Sequence, residues 1–527
     1  MRLQAHRGVS TEFPENTMAA FKAASLQGYE IIELDPAFTA DGKCVILHDK
    51  TLNRTCRRKD GEPLPYEIKI SDITYAQALK FDAGIAKSIK FKGEKIPLLS
   101  EALSFAKDAD ITVKIDNKIE NFAEALQDIL FDVAEASGAK LAFTCKTEDF
   151  IKKVVSRFPK SEIHYDGYVD AETVKRIKTY LSDNPLTVWL ALPTKMTEWV
   201  KVPRAIEALC KDVKALCDLG IWICASEEEY EMAKALGADV VETTGRIKHA
   251  KKMGGFFDCH THTFFSHDAK SDPVELCETE LARGGAGVAF TDHYDNFRCR
   301  VSDQKTPVID SVKRAKELDK EFAGQIRVFS GIEIGEEICD RETGLEAHTM
   351  ASYDVILGSL HYFLYRDIDV AYSAYDFTNA DDEYLHGFML EYFDQLITTI
   401  STTDFDILTH ITCPLRYIVG KYGKKIDLTR YDEQIDKVLD LAVKKHLALE
   451  INTSGINGPY GRYFPDLEYV QRFIDKGGYM ITLGSDAHIS ENAAQGFDEL
   501  IPKLLEMGIK QAYYFEERVP IAYSLEL

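Results

Sequence analysis

The stretch 257-FDCHTHTFFSHD-268 places three histidines, His260, His262 and His267, within eight residues beside Asp258 and Asp268. Residues i and i+2 of a β-strand share a face. His260 and His262 therefore aim two imidazoles at one point, with Asp258 one step behind on the same side. Phe256 and Phe257, just upstream, fit a buried strand whose C-terminal end opens into a site. Paired imidazoles suit zinc, manganese or iron. Taken alone, the stretch also admits a bland reading, a histidine-rich strand end that holds no metal.

The rest of this half repeats the pattern. Of the 14 histidines, 10 lie between residues 260 and 488. Apolar runs end in ligand-type residues at 288-VAFTDH-293, 328-VFSGIE-333, 355-VILGSLH-361, 406-DILTH-410, 447-LALEIN-452 and 480-MITLGSDAH-488. Asp486 and His488 form another i, i+2 pair. Strand ends that present metal ligands on one rim of a barrel explain this recurrence.

These motifs carry a resemblance. His260 and His262, Thr291-Asp292-His293, Gly331-Ile332-Glu333, Gly358-Ser359-Leu360-His361, His410 and Ser485-Asp486-Ala487-His488 resemble the PHP (polymerase and histidinol phosphatase) family over about residues 256–527. The stretches 449-LEINTSG-455 and 357-LGSLH-361 are most similar to its histidinol-phosphatase branch. The resemblance implies a distorted (β/α)7 barrel holding two or three transition-metal ions, zinc, manganese or iron. By that resemblance, His260, His262, Glu333 and Asp486 take one metal. Glu333 bridges to a second with His361 and His410, and His267, His293 and His488 take a third. Asp258 and Asp292 are expected to handle protons or support ligands. Arg416 and Arg462 are expected phosphate binders, with ordinary surface arginines as the alternative. His348, His386 and His446 fit no motif position.

Across the whole chain, 527 residues point to two domains, with three as the alternative. A hydrophobic fraction of 45% is ordinary for globular proteins. The formal net charge of −23 argues against a nucleic-acid footprint, which needs a basic face. An anionic substrate must then be drawn in locally, by metals and a few arginines or lysines. Eleven cysteines, an odd number without a CxxC, do not suggest a disulfide framework. A reducing cytoplasm is the expected location. The opening MRLQAHRG lacks a charged-then-apolar leader, and no apolar run reaches the length of a membrane span.

The amino-terminal half begins with a strand at 2-RLQAHR-7, ending in His6, Arg7 and Gly8. Asn16 or Thr17 is placed to cap a helix that Gly28 stops. The strand 29-YEIIELD-35 puts Glu33 and Asp35 on one face, a candidate hard-cation site or two solvated acids. Twelve residues between Asp35 and His48 leave little room for a helical crossover, and Asp41-Gly42 signals a hairpin. A hairpin over 36–49 would return His48 to the level of Glu33 and Asp35. An insertion with few strand signals follows at 50–97. Then comes 111-ITVKIDNK-118, with Asp116 and Lys118 read as a same-face pair. Further strands are expected at 141–145, 162–167, 187–193, 220–225 and 239–244. Eight strands alternating with helices predict a parallel (β/α)8 TIM-type barrel.

This half resembles the glycerophosphodiester phosphodiesterases over about residues 1–248. The residues are His6-Arg7-Gly8, Pro14-Glu15-Asn16-Thr17, Glu33-Leu34-Asp35, Asp41-Gly42, His48-Asp49, Leu52-Asn53-Arg54-Thr55 and 82-DAG-84. The resemblance implies His6 and His48 as acid–base groups, Mg²⁺ or Ca²⁺ on Glu33, Asp35 and Asp116, and phosphate contacts from Arg7 and Lys118. The family has Glu where this chain has Asp116, one methylene shorter. A basic junction, 249–256, is expected to link this domain to 257–527.

The expected whole is a two-site phosphoesterase acting on small phosphorylated metabolites, with the product of the first site as a candidate substrate of the second. Alternatives are a histidinol-phosphate-type phosphatase with a separate diesterase activity, a DNA-processing PHP exonuclease, and a non-catalytic phosphodiester sensor. The acidic charge and the lack of a basic aromatic-lined groove count against the exonuclease. The sequence leaves the oligomeric state open.

Overall fold

A computed structural model of the chain describes residues 1–195, 203–366 and 369–526. The chain divides into two compact units, Met1–His249 and Ala250–Leu527. Strands of the first unit are β1 (Arg2–Ala5), β2 (Ile31–Leu34), β3 (Pro36–Phe38), β4 (Cys44–Ile46), β5 (Arg57–Arg58), β6 (Phe81–Asp82), β7 (Thr112–Ile115), β8 (Leu141–Cys145), β9 (Glu162–Tyr165), β10 (Leu186–Ala191), β11 (Asp218–Cys224) and β12 (Val240–Thr243). Eight of them, β1, β2 and β7 to β12, close into a parallel barrel, with β1 lying between β12 and β2. These are the eight strands that the alternating pattern predicts.

Thr17, rather than Asn16, caps the helix Met18–Leu26, accepting the Ala20 N–H at 3.3 Å. Asn16 instead turns into the barrel mouth and donates to Asp35 at 2.9 Å. β3 and β4 pair antiparallel, with Phe38 opposite Cys44, and so form the expected hairpin. The segment after it has its own small core, which includes Leu47, Leu52, Cys56, Ile68, Ala83 and Ile96. Inside the barrel, Trp189 packs flat against β11. A Cβ on Gly220 would sit 2.6 Å from the indole, so glycine is needed there.

The second unit contains β13 (Phe256–Thr261), β14 (Gly285–Phe290), β15 (His293–Asp295), β16 (Arg327–Gly335), β17 (Val355–Ser359), β18 (Ile407–Leu408), β19 (Ala448–Asn452), β20 (Ile481–Gly484), β21 (Gln511–Glu516) and β22 (Val519–Ser524). Seven parallel strands follow one another in the order β13-β14-β16-β17-β18-β19-β20. The gap from β20 back to β13 is nearly closed. Asp486 N–H donates to His260 O at 2.8 Å, and His262 N–H to Ala487 O at 2.9 Å. The long strand β16 pairs with β14 through Arg327–Ser330 and with β15 through Glu333–Gly335, which distorts the barrel. The C-terminal hairpin β21–β22, not anticipated from the sequence, stacks Tyr514 on Phe257 with centroids 4.0 Å apart. Among the described residues, no helix is long and apolar enough to cross a membrane. The eleven cysteines form no disulfide.

One interior group of the first barrel gives a testable pH dependence. His164 is fully buried; its Nδ1 accepts the Trp189 indole N–H at 3.1 Å and its Nε2–H faces Glu162 at 3.2 Å. A second proton would set N–H against N–H. Burial pulls its pKa from 6.5 down to about 4 despite Glu162. The unfolded chain therefore takes up a proton that the folded state resists. Stability is full above pH 6.5 and falls as pH drops toward 4, by about 3 kcal/mol for this group. Denaturant titrations at the two pH values should show this loss in the wild type and its absence in His164→Gln.

Candidate active sites

In the first unit, a cavity of about 370 Å³ opens where the barrel strands end. His6, Arg7, Glu33, Asp35, His48, Asp116 and Lys118 all line it. Register explains the floor: Gln4 lies opposite Glu242, and Glu33 opposite Lys114. Lys114 donates to Glu242 at 3.3 Å and sits 4.1 Å above the Trp189 ring. Glu242 in turn lies 3.9 Å from His6 Nε2.

Arg7 adopts a left-handed conformation, φ +59°. This turn lets its N–H donate to Glu33 at 2.9 Å while its side chain reaches Glu15 at 3.0 Å and Asp35 at 3.2 Å. Lys118 does not extend the strand as the same-face reading requires. β7 ends at Ile115, and Asp116 caps a short helical turn, accepting the Lys118 N–H at 3.1 Å. Lys118 Nζ still reaches the site, donating to Asp35 at 2.7 Å and to the His48 carbonyl at 2.6 Å.

The carboxylates are crowded. Burial pushes the Glu33 carboxyl well up, with Asp35, Glu242 and Asp116 adding to the rise. Burial also raises Asp35, but Lys118 and Arg7 outweigh it and leave that group below its usual range. Buried oxygen donors at this density suit a hard divalent cation, and Glu33, Asp35 and Asp116 could hold one. Burial pulls the His6 pKa down, against Glu242, so its imidazole is neutral at neutral pH. His48 Nδ1 lies 2.6 Å from Asp49. Hydrogen bonding from Arg54 holds Asp49 at about 2, so that carboxylate only accepts and His48 Nδ1 must donate. Arg54 also forks onto Glu15 at 2.7 Å and 2.7 Å. The sequence assigns Lys114 and Glu242 no role, and Glu15, Asp49 and Arg54 stand in the quoted motifs without one. Extending the i, i+2 step back from Asp116 would have found Lys114.

In the second unit, the Glu333 carboxylate is the common point. It lies 3.5 Å from His260 Nε2, 3.5 Å from His262 Nε2, 2.9 Å from His293 Nδ1, 3.3 Å from His361 Nε2 and 2.9 Å from His410 Nε2. The ligating atoms of His260, His262 and Asp486 converge, as do those of His260, Glu333 and His410, of His293, Glu333 and His361, and of His262, His293 and His488. Glu333 Oε2 and His293 Nδ1 are buried without a hydrogen-bond partner, although they face each other. Lone-pair atoms that converge in this way fit a shared cation, and a mixed imidazole–carboxylate set suits zinc, manganese or iron. His267 stands at the rim of the cavity, its ring centroid 5.3 Å from that of His293.

Supporting contacts aim the ring. Glu450 accepts from His260 Nδ1 at 2.6 Å and from the His410 N–H at 2.8 Å. Its approach depends on Gly484, where a Cβ would collide with the Glu450 carboxylate and come within 2.8 Å of His260 Cβ. Asp295 holds His361 Nδ1 at 3.1 Å. Asp268 lies 3.6 Å from His293, 3.6 Å from His488 and 3.7 Å from His267. Burial would raise its pKa, but His488 and His293 drive it well below the usual range. Asp486 and His488 are not a strand pair: β20 ends at Gly484, and Asp486 is left-handed at φ +52°. His410 also has positive φ, +26°. Strain of this kind, of order 1–3 kcal/mol each, clusters at functional sites.

Asp258 and Asp292 are not brought to the cavity wall. Asp258 accepts the backbone N–H groups of His260, Ser485 and Ala494 at 3.2, 3.0 and 3.2 Å. Asp292 accepts from Thr263 N at 2.7 Å and from the hydroxyls of Ser266, Thr263 and Ser311. Their charges are spent on holding loops. Arg416 lines the second cavity, of about 120 Å³, and pairs with Asp486 at 2.8 Å. Arg462 lies elsewhere, half-exposed and paired with Asp466 at 2.7 Å. Asp295 lies in no quoted motif, whereas Asp268 and Glu450 stand inside quoted stretches that give them no role.

A model of the glycerophosphoryl diester phosphodiesterase family matches residues 6–215, and a model of the PHP domain matches residues 258–454. The chain is 44% identical over 114 residues to a glycerophosphodiester phosphodiesterase of Caldanaerobacter subterraneus subsp. tengcongensis, across 22% of this chain and 44% of that one. This match spans less than half of the relative. The chain is 27% identical over 266 residues to a probable histidinol-phosphatase of Clostridium acetobutylicum, across 50% of this chain and 98% of that one. Among solved structures, histidinol phosphate phosphatase from Lactococcus lactis subsp. lactis, complexed with zinc, L-histidinol and phosphate, is similar at 23% identity and a TM-score of 0.45, over 50% of this chain and 98% of that one.

Glu333 belongs to two of the converging groups. Glu333→Ala is expected to release more than one equivalent of bound transition metal, read by elemental analysis. Loss of a single equivalent contradicts the sharing.

Proposed function

The chain carries a domain of the glycerophosphoryl diester phosphodiesterase family followed by a PHP domain, and on that premise we propose a two-site, metal-dependent phosphoric ester hydrolase. The first barrel hydrolyses a glycerophosphodiester and the second a small phosphate monoester. One observation carries the reading. In each barrel, groups able to hold cations and groups able to hold phosphate converge on a single cavity.

In the first cavity, Glu33, Asp35 and Asp116 hold Mg²⁺ or Ca²⁺, which supplies charge neutralisation at the phosphodiester. Arg7 and Lys118 contact the phosphate oxygens, for which the planar Arg7 fork is well matched. Neutral His6 is ready to take a proton from the attacking water. His48 in its doubly protonated form, with Nδ1–H fixed on Asp49, hands its Nε2 proton to the leaving alcohol. In the second cavity, the imidazoles around Glu333, together with Asp486, His488 and the rim residue His267, hold two or three ions of zinc, manganese or iron, which supply Lewis-acid stabilisation of phosphoryl oxygens. Glu450 and Asp295 keep His260, His410 and His361 aimed. The near-complete coverage of a probable histidinol-phosphatase favours a second reading, in which histidinol phosphate is the monoester.

The diesterase reading is tested by His6→Ala, which is expected to lower the rate on a glycerophosphodiester at least about a hundredfold. Unchanged turnover rejects the assignment. The two reactions also fit in sequence: a diesterase releases a phosphomonoester, and the second site consumes that class. Linkage on one chain raises the effective concentration of that product at the second site. Intact protein fed a glycerophosphodiester is expected to release inorganic phosphate unaided, whereas His260→Ala/His262→Ala accumulates the monoester. If the intact protein stops at the monoester, the sequential reading fails even if both domains act on other compounds.

A further inference from the structure

The second cavity contains a cation that no carboxylate among the described residues pairs with. Arg298 sits in the short helical segment Asn296–Arg300, directly after β15, which delivers His293 and Asp295. Its side chain lines the same cavity as His361, Arg416 and His488. Arg298 Nε is buried without a hydrogen-bond partner, and among the described residues no carboxylate pairs with its guanidinium. Arg416 shares a buried, unpartnered Nε but differs at its terminal nitrogen, which donates to Asp486 at 2.8 Å and to the Ser454 hydroxyl. Arg462 is spent on Asp466 outside the cavity. An unmade hydrogen bond on a buried donor is costly, so a ligand is the natural acceptor.

We propose that Arg298 is a phosphate contact of this cavity, donating to a terminal oxygen of the monoester. The inference rests on the reading of the second cavity as a phosphate-ester site. Arg298 lines the same cavity as the ligand-type side chains His293, His361, His410 and His488, so its guanidinium is available to phosphoryl oxygens held among them. Arginine suits the task because its fork matches oxyanion geometry, which a lysine reproduces only as a point charge. Arg416, on the same cavity, also holds Asp486 at 2.8 Å.

The test uses the full-length, metal-loaded protein and compares wild type with Arg298→Gln and Arg298→Lys. Inorganic phosphate binding is measured by calorimetry, metal content by elemental analysis, and KM and kcat on p-nitrophenyl phosphate. Arg298→Gln is expected to bind phosphate at least about tenfold more weakly and to raise KM by a similar factor, with metal content unchanged. Arg298→Lys should fall between the two, and it carries the comparison if the Gln variant does not fold. Unchanged phosphate affinity overturns the assignment. So does weakened binding that tracks a loss of metal, or a wild type that binds no phosphate. Arg298-dependent binding without turnover of any monoester would uphold the contact and reject the hydrolase reading. Wild-type turnover matched by the Gln variant would do the reverse.

Discussion

A single buried carboxylate with five imidazoles around it governs the second barrel. Glu333 is fully buried, and the rings that surround it come from the ends of β13, β15, β17 and β18. Burial would push Glu333 toward its neutral form, but His361, His260 and His293 hold it far below its usual range. Each group is tolerable in the interior only because the others are there. The same mutual dependence sets the geometry of the strand ends, because Glu450 and Asp295 must turn the rings before Glu333 can meet them.

The first barrel answers the same problem with a different donor set. Its carboxylates are balanced by fixed cations, Lys118 and Arg7 on Asp35 and Lys114 on Glu242. Excess negative charge then remains around Glu33 and Asp116. The two cavities thus present oxygen-rich and nitrogen-rich surroundings, the distinction that separates hard from borderline cations.

Both barrels were legible in the sequence because parallel strands, buried on both faces, write continuous apolar runs that end in polar residues. The hairpin was legible from a chain too short for a crossover. Less of the site detail could be read. The i, i+2 rule holds only while the chain remains a strand, and it lapses at Asp116–Lys118 and at Asp486–His488, where the backbone turns. Those side chains reach the sites through turns instead. Asp258 and Asp292 lie beside motif histidines, yet their oxygens are consumed by backbone and hydroxyl donors, which no spacing rule reveals. Glu450, Glu242 and Arg54 act across long sequence separations, and a single sequence does not record such pairings.

The β3–β4 hairpin divides the first site between two bodies. His6 is carried by the closed barrel, whereas His48 emerges from a segment with a hydrophobic core of its own. Polar contacts join them, Lys118 on the His48 carbonyl and Arg54 spanning Asp49 and Glu15, beside the ring contact of Phe13 with Phe91 at 5.1 Å. The distance between the two imidazoles is therefore a joint tolerance of two adjoining parts. Packing defects remote from any reacting atom, in the little core around Leu52 and Ile68, would be felt as misalignment of one half of the pair while the barrel itself stayed intact.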